Sequence, residues 1–140
     1  MRIFTVGYQG RSPEGLVQLL RSEGVEVVVD VRSAPRSVRR EFDRTNLEPF
    51  LPRNGIGYFH LPQLGGLREG TYQEHMASEE FRLGMESLQG IARERPTAIM
   101  CMEPRPSSCH RRFIARRLTE LGWEVIHLVG GGRQSVLDLG

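Results

Sequence analysis

The sequence predicts an α/β fold, a single domain with a mostly parallel sheet of about five strands and helices on both faces. Short apolar segments alternate with longer amphipathic segments, which is typical of consecutive β-α-β units. The segment "VEVVVDV" is apolar almost throughout, as expected for a strand covered on both faces. The chain has 140 residues, an ordinary length for one domain, so residues 1–140 are treated as a single unit.

Five segments have the composition of strands, being short and rich in β-branched and aromatic residues. In chain order they read "RIFTVGY", "VEVVVDV", "IGYFHL", "TAIMCM" and "WEVIHLV". The order of these strands in the sheet does not follow from the pattern. For the final segment, "GGGRQSVLDLG", an edge strand and a dimer contact both remain open.

Three segments carry the start and stop signals of helices. In "SPEGLVQLLRSEG" we expect Ser12 to be the N-cap and Gly24 to close the helix. In "SEEFRLGMESLQGIARE" the expected N-cap is Ser78, and in "SCHRRFIARRLTELG" the helix ends at Gly122.

Two further segments are less regular. We expect at best a short helix in "NLEPFLPRNG", because Pro49 and Pro52 limit it. The long loop "PQLGGLREGTYQEHM" follows the third predicted strand, and loops of this length are often functional lids.

The basic residues are all arginine, nineteen in number. Without lysine, the chain has no Schiff-base lysine, no lysine general base and no P-loop lysine. Arginines are concentrated between positions 31 and 53 and again between positions 105 and 117, the second stretch without any carboxylate. Arginine is suited to two-pronged recognition of phosphate or carboxylate, so the pattern favours an anionic ligand.

Composition also bears on the compartment. No apolar run approaches the length of a membrane span, and the N-terminal residues do not resemble a secretory leader. We therefore expect a cytoplasmic protein that does not enter a membrane, with its two cysteines as free thiols.

The segments that follow the predicted strands are rich in glycine, arginine, cysteine and histidine. Parallel sheets bind ligands beyond the carboxyl ends of their strands, so these segments predict one site at that edge. They read "GYQGRS", "DVRSAPRS", "HLPQLGG", "CMEPRPSSCHRR" and "GGGRQ". In the second of them, Asp30 is also expected to hold the following loop by bonding its backbone and Arg32.

Both cysteines lie in the fourth of these segments. Cys101 ends a strand, and a cap at Ser107 or Ser108 would put Cys109 and His110 in the first turn of the last helix. The positive end of a helix and nearby arginines lower the pKa of a thiol, so Cys109 is a candidate reactive cysteine. The alternative is that one or both cysteines are small buried hydrophobic residues.

Metal binding by Cys101, Cys109, His110 and His60 is a weaker hypothesis. The C-x7-C-H spacing fits no standard zinc pattern, and dense arginine repels a cation. We expect neither a metal nor another cofactor.

Motifs along nearly the whole chain resemble the DUF488 family. They are "TVGYQGRS", "VVDVRSAPRS", "YFHLPQLGG" and "MCMEPRPSSCHRRFIARRL" followed by "GWEVIHL". That family has no firmly assigned activity, so the resemblance implies a fold and a site without a reaction. The family usually opens T-I-G-H-S, whereas this chain has Val6, Tyr8 and Gln9.

A fainter resemblance is to rhodaneses. "VVVDVRS" and "AIMCM", then a helix and "LGWEVIHLVGGG", are similar to rhodanese segments, which implies a persulfide on Cys101. Pro104, Pro106 and a second cysteine replace the expected tight loop. Neither cysteine has the C-x5-R spacing of cysteine phosphatases.

The leading hypothesis is an anion-binding domain that binds or processes a phosphorylated ligand, a nucleotide or a nucleic acid. Whether it is an enzyme stays open. The candidate catalytic residues are Cys109, Cys101, His110 and Glu103. The candidate ligand-binding residues are Arg11, Arg32, Arg36, Arg111, Arg112, Tyr8, Gly65 and Gly66.

Two alternatives remain. One is rhodanese-like sulfur transfer through a persulfide of Cys101. The other is a non-catalytic nucleic-acid-binding module, whose basic face would need Arg39, Arg40, Arg116 and Arg117 to lie together. The oligomeric state is not predicted.

Overall fold

The computed structural model describes residues 1–66, 70–103 and 109–130, together with the backbone of residues 132–135. The strands are β1 Arg2–Gly7, β2 Val27–Asp30, β3 Gly57–His60, β4 Thr97–Cys101, β5 Glu124–Val129 and β6 Gly132–Ser135. The helices are α1 Pro13–Ser22, α2 Arg44–Arg53, α3 Tyr72–His75, α4 Glu79–Glu94 and α5 Arg111–Glu120. Each of the five predicted strands is present.

One sheet contains all six strands, in the order β3-β2-β4-β1-β5-β6. The first five are parallel, and β6 pairs antiparallel with β5 at one edge. The predicted α/β class with a mostly parallel sheet is confirmed, and part of the final segment forms the edge strand. In the described part of the chain, no helix has the length and apolar character needed to cross a membrane.

The strand order creates one point where the chain leaves the sheet in opposite directions. β2 and β4 are neighbours, but β2 leads outward to β3 whereas β4 leads the other way, past β1, to β5. The loops after β2 and β4 therefore diverge, which opens a crevice at the carboxyl edge. The register brings Asp30 of β2 level with Met100 of β4, so both loops begin at the same height.

Helices cover both faces of the sheet. Leu16 and Leu20 of α1 and Leu47 and Leu51 of α2 are fully buried in one apolar layer. On the opposite face, α4 and α5 contribute the second layer, which also contains both cysteines. Valines 27 to 29 are at most 1% exposed, because β2 is covered on both sides. That burial explains the continuous apolar run in its sequence.

The predicted helix caps are confirmed where the structure describes them. The backbone N–H of Gly15 donates to Ser12 Oγ at 2.9 Å, and that of Phe81 donates to Ser78 Oγ at 3.1 Å. Gly24 and Gly122 follow α1 and α5 with φ of 75° and 96°. Only glycine adopts such angles without strain, so both residues end their helices as expected.

Helix α2 is longer than predicted, because it runs through Pro49 and Pro52 for ten residues. Each proline lacks the N–H that would bond four residues back. Leu47 and Leu51 compensate, since their full burial fixes the helix on the sheet. The side chain of Asn54 also donates to the Phe50 carbonyl at the end of the helix.

Helix α5 begins later than predicted, at Arg111. Cys109 and His110 thus precede its first turn rather than lying in it, and His110 occupies the N-cap position without a capping side-chain bond. The alternative caps, Ser107 and Ser108, lie outside the described residues.

The long loop after β3 packs closely against the rest of the domain in its described part. Leu64 is buried beneath α4, where a Cβ on Gly84 would lie 2.9 Å from Leu64 Cδ2. Tyr72 donates from its hydroxyl to the Leu64 carbonyl at 2.9 Å. A Cβ on Gly65 would lie 2.6 Å from Ser33 Cα, so glycine is needed where this loop meets the loop after β2.

Replacing Gly65 with alanine is expected to destabilise the domain by about 1–3 kcal/mol, since the new methyl group meets backbone atoms that cannot move aside. Gly90→Ala is the control, because a Cβ at that position would have no other atom within 4 Å and alanine favours the helix by about 0.5–1 kcal/mol. Urea denaturation measures both changes. Equal stabilities for the two variants would contradict this account of the loop contact.

Candidate functional site

A cleft of about 360 Å³ lies at the crevice between the loops after β2 and β4. Its position is the one predicted from the strand ends. The loop after β2 contributes residues 32–34, and the end of β4 and its loop contribute residues 101–103. Gly66, Cys109 and His110 complete the described lining.

The two cysteines are in direct contact at the floor of this cleft. Their Sγ atoms are 2.7 Å apart, and both are free thiols. Cys109 is 8% exposed and Cys101 is 2% exposed, so Cys109 is the more accessible of the two. The fold therefore brings together the two thiols that the sequence separates by seven residues.

His110 is held in one orientation beside Cys109. Its Nε2 lies 3.1 Å from the Val31 carbonyl, which only accepts, so Nε2 carries the proton and donates it. Its Nδ1 lies 3.6 Å from Cys109 Sγ. In the neutral ring Nδ1 is therefore the acceptor, and it is positioned to take the thiol proton of Cys109.

The two thiols have opposite pKa shifts. A hydrogen bond from the Cys101 thiol lowers the pKa of Cys109 most, and His110 and the backbone N–H of Arg111 lower it further against the effect of burial. Burial raises the pKa of Cys101 well above its usual range, and its bond to Cys109 raises it further. The directions of the two shifts favour Cys109 as the thiolate and Cys101 as the thiol that donates to it.

Arg111 places a fully buried positive charge close to the thiols. Its guanidinium donates to Thr5 Oγ1 at 3.0 Å and to the Glu103 carbonyl at 2.5 Å, while its Nε has no partner. Among the described residues no carboxylate forms an ion pair with it. A buried charge is costly unless an opposite charge lies near, so the Arg111 guanidinium favours negative charge in its surroundings.

A buried histidine extends this polar cluster. The Thr5 hydroxyl accepts from Arg111 and bonds His127 Nδ1. Burial, and the charge of Arg111, lower the pKa of His127 to about 4. His127 is thus neutral at physiological pH, with its Nε2 unpartnered.

Arg32 lines the cleft but is already paired. Its guanidinium donates to both carboxylate oxygens of Asp30, with a shortest distance of 2.7 Å, and its backbone N–H donates to the same carboxylate. The predicted contacts of Asp30 are therefore confirmed. Burial alone would lower the pKa of Arg32, but Asp30 raises it above the ordinary value. Tyr58 also donates to Asp30, at 2.5 Å.

Tyr8 and the two glycines of the predicted site, Gly65 and Gly66, contribute to it through close packing. Tyr8 is buried, stacks on Phe42 and lies beneath the Arg32 guanidinium. A Cβ on Gly66 would lie 2.9 Å from His110 Nδ1, so this glycine lets the loop after β3 pack against the imidazole. Gly65 makes the corresponding close approach to Ser33.

The remaining predicted residues are more dispersed. Glu103 lines the cleft, whereas Arg11 uses its guanidinium to bind the carbonyls of Gly7, Leu128 and Gly130 at the ends of β1 and β5. Arg112 is exposed and lies over the ring of its neighbour Phe113.

Arg36 is exposed two residues beyond the cleft-lining segment 32–34, and its guanidinium makes no hydrogen bond to another described residue.

The arginines proposed for a nucleic-acid face are divided between the two apolar layers. Arg39 packs over Phe42 in the layer of α1 and α2, and Arg117 packs over Phe81 in the layer of α4 and α5. The sheet therefore separates the pair at residues 39–40 from the pair at residues 116–117.

His60 is engaged in local contacts. Its Nε2 donates to the Arg32 carbonyl at 2.6 Å and its Nδ1 lies 3.4 Å from Arg44. Within residues 1–66, 70–103 and 109–130, no group of three or more potential metal ligands is clustered.

Sequence reasoning missed several groups at the site. The Thr5–His127 pair lies inside apolar strands and the Val31 carbonyl directly follows β2, so neither leaves a pattern in the sequence. Tyr72 packs against His110 with ring centroids 5.4 Å apart. It belongs to the long loop that the sequence predicts to be functional. Its aromatic character within that loop is the sequence signal that could have identified it as a site residue. Ser33, Ala34 and Met102 also line the cleft.

The fold and the cleft define a class of protein, an α/β domain with a cysteine–histidine site at the carboxyl edge of a parallel sheet. The chain belongs to the DUF488 family, described as a domain of unknown function, which matches residues 12–71 and 69–118. Both cysteines lie within the matched residues. The membership predicted from the motifs is confirmed, while the likeness to rhodaneses stays a prediction. Comparison with curated proteins and with solved structures gives no match.

Alkylation of the two cysteines is expected to depend differently on pH. Cys109 should react at full rate well below the ordinary thiol pKa of about 8.5, because its thiolate persists there. Cys101 should react only at higher pH or after unfolding. Peptide mass spectrometry after timed iodoacetamide treatment measures each rate. Matching pH profiles for the two residues would contradict the assignment.

Stability is expected to fall as the pH is lowered from about 6.5, the usual pKa of histidine, toward the lowered value of His127. In that window the unfolded chain binds a proton that folded His127 does not. In His127→Gln the amide keeps an acceptor for Thr5 but does not titrate. The free energy of unfolding should therefore change less steeply with pH in this variant. Urea denaturation across this pH range tests the point, and identical slopes would refute it.

Proposed function

We propose that the protein is a cysteine-dependent enzyme that binds a small phosphorylated ligand in the cleft and attacks it with the Cys109 thiolate. The observation that carries the proposal is the surroundings of Cys109 Sγ. The Cys101 thiol lies 2.7 Å away, the Arg111 backbone nitrogen 3.5 Å and His110 Nδ1 3.6 Å. Each of these groups stabilises negative charge on the sulfur.

His110 is the proposed proton carrier. Nδ1 takes the proton of Cys109 and returns it to the leaving alcohol when the thiolate displaces it from phosphorus. Water then releases phosphate from the sulfur. Glu103 lines the same cleft and is the second candidate for proton transfer in this step.

Arg36 is the arginine that we assign to the ligand phosphate, since it is exposed and follows the cleft-lining residues 32–34 in the chain. The start of the ten-residue helix α5 adds the positive end of the helix dipole, which favours anions. The guanidinium of Arg32 is largely occupied by Asp30, and it contributes shape more than charge.

Sulfur transfer is less well supported. Cys101 is the thiol with the raised pKa, so it is the poorer nucleophile. A persulfide on either cysteine would also lie beside a second thiol, which would attack it and release hydrogen sulfide. The nucleic-acid module is also less well supported, because the sheet separates the two arginine pairs that would have to form its basic face.

The direct test is phosphate release from p-nitrophenyl phosphate and from a panel of phosphorylated metabolites. Cys109→Ser should abolish release, and His110→Asn should lower its rate about a hundredfold or more. Arg36→Gln should raise the ligand concentration needed for half-maximal phosphate release. Arg40 is an exposed arginine of the same segment, so Arg40→Gln is the matched control and should not raise it.

Inorganic phosphate supplies a second readout that needs no turnover. It should slow alkylation of Cys109 more than chloride does at equal ionic strength. Fast alkylation of Cys109 without protection by phosphate would contradict a phosphorylated ligand. It would not contradict the role of Cys109 as the nucleophile. Thiosulfate in the same panel separates the alternatives, because a persulfide on Cys101 would favour sulfur transfer.

A further inference from the structure

We propose that Cys101 and Cys109 form a reversible dithiol–disulfide couple that reduces hydroperoxides. Cys109 is the residue that is oxidised, and Cys101 is the residue that resolves the oxidised product. The inference rests on the reactive Cys109 of the proposed function, but not on its phosphorylated ligand.

The first support is the contact between the sulfur atoms. At 2.7 Å the two sulfur atoms are in contact, about 0.7 Å farther apart than in a disulfide bond. Two thiols that both face a cleft, one more exposed than the other, fit the roles of attacking and resolving cysteine. A purely structural pair would not need access to solvent.

The second support is the buried charge of Arg111. The charge of Arg111 acts on Cys101, whose sulfur contacts that of Cys109, so a thiolate in the reduced pair offsets this guanidinium, whereas a neutral disulfide does not. Since no carboxylate among the described residues pairs with Arg111, the reduced form is selectively stabilised. Disulfides with a stabilised reduced form are easily reduced, as in catalytic rather than structural couples.

The third support concerns the oxidant. Cys109 is only 8% exposed, at the floor of a cleft of about 360 Å³. Such access favours a small diffusible molecule over a disulfide on the surface of another protein. A hydroperoxide fits this limit.

The cycle balances in three steps. The Cys109 thiolate attacks the outer oxygen of the hydroperoxide, the O–O bond breaks, and protonated His110 gives its proton to the departing oxygen, leaving a sulfenic acid and an alcohol or water. The Cys101 thiol then displaces hydroxide from that sulfur, which forms the disulfide and releases water. Two molecules of glutathione finally reduce the disulfide and leave as glutathione disulfide.

The experiment exposes the full-length reduced chain to hydrogen peroxide at neutral pH, followed by acid quenching and alkylation under denaturing conditions. Mass spectrometry should detect loss of two hydrogen atoms, one Cys101–Cys109 linkage and no alkylation of either residue. Glutathione should restore both thiols. Added oxygen on Cys109 with Cys101 still open to alkylation, or no oxidation at all, would overturn the proposal.

Variants assign the two roles. Cys101→Ser should accumulate the sulfenic acid on Cys109, captured by dimedone, while Cys109→Ser should leave Cys101 reduced under the same treatment. Because Cys101 is a core residue, circular dichroism is recorded for each variant, and Cys101→Ala is the second form if serine unfolds the chain. The wild-type result decides the question even if both variants fail to fold.

The outcomes also separate this inference from the proposed function. Disulfide formation without any effect of phosphate would support the redox couple and contradict the phosphorylated ligand. Phosphate release that depends on Cys109, without disulfide formation, would do the reverse. Cysteines that resist both reagents until the chain unfolds would remove both.

Discussion

The fully buried guanidinium of Arg111 is the feature on which the rest of the site depends. Three separate parts of the fold hold it, since α5 begins with it, β1 supplies Thr5, and the segment after β4 supplies the Glu103 carbonyl. Neutral partners satisfy its hydrogen bonds but not its charge, so the protein gains when an anion forms nearby. The paired thiols are positioned to meet that requirement, since the charge of Arg111 acts on Cys101 and its backbone N–H contacts Cys109 Sγ. The reactivity of the cysteine and the stability of the core are therefore linked.

Much of the fold could be predicted because its signals are local. Alternating apolar segments located the strands, serine residues located two helix starts, and the rule for parallel sheets placed the cleft. The strand order and the later start of α5 could not be predicted, since they depend on how distant segments pack. Helix α2 was underestimated for the same reason, because burial of Leu47 and Leu51 outweighs two prolines.

The arginines mark the limit of sequence reasoning at the site. In the sequence they look equivalent, and an anion-binding role fits all of them. In the structure Arg32 is bound to Asp30, Arg11 ties two strand ends, and Arg36 alone of these three has an exposed guanidinium without a described partner. The partner of Arg32 is two residues away and was expected, whereas the Gly130 carbonyl that binds Arg11 is remote in sequence and no local pattern reveals it.

The contact between His110 Nε2 and the Val31 carbonyl has a consequence for proton traffic. A carbonyl cannot be protonated at physiological pH, so His110 cannot pass a proton to Val31 through Nε2. A carboxylate at the same position could accept that proton. Each proton that His110 removes from a thiol must leave again through Nδ1, toward the cleft. Gly66 and Tyr72 pack against the ring and keep it from turning. The histidine therefore exchanges protons through Nδ1 alone, on the side that faces Cys109 and the cleft.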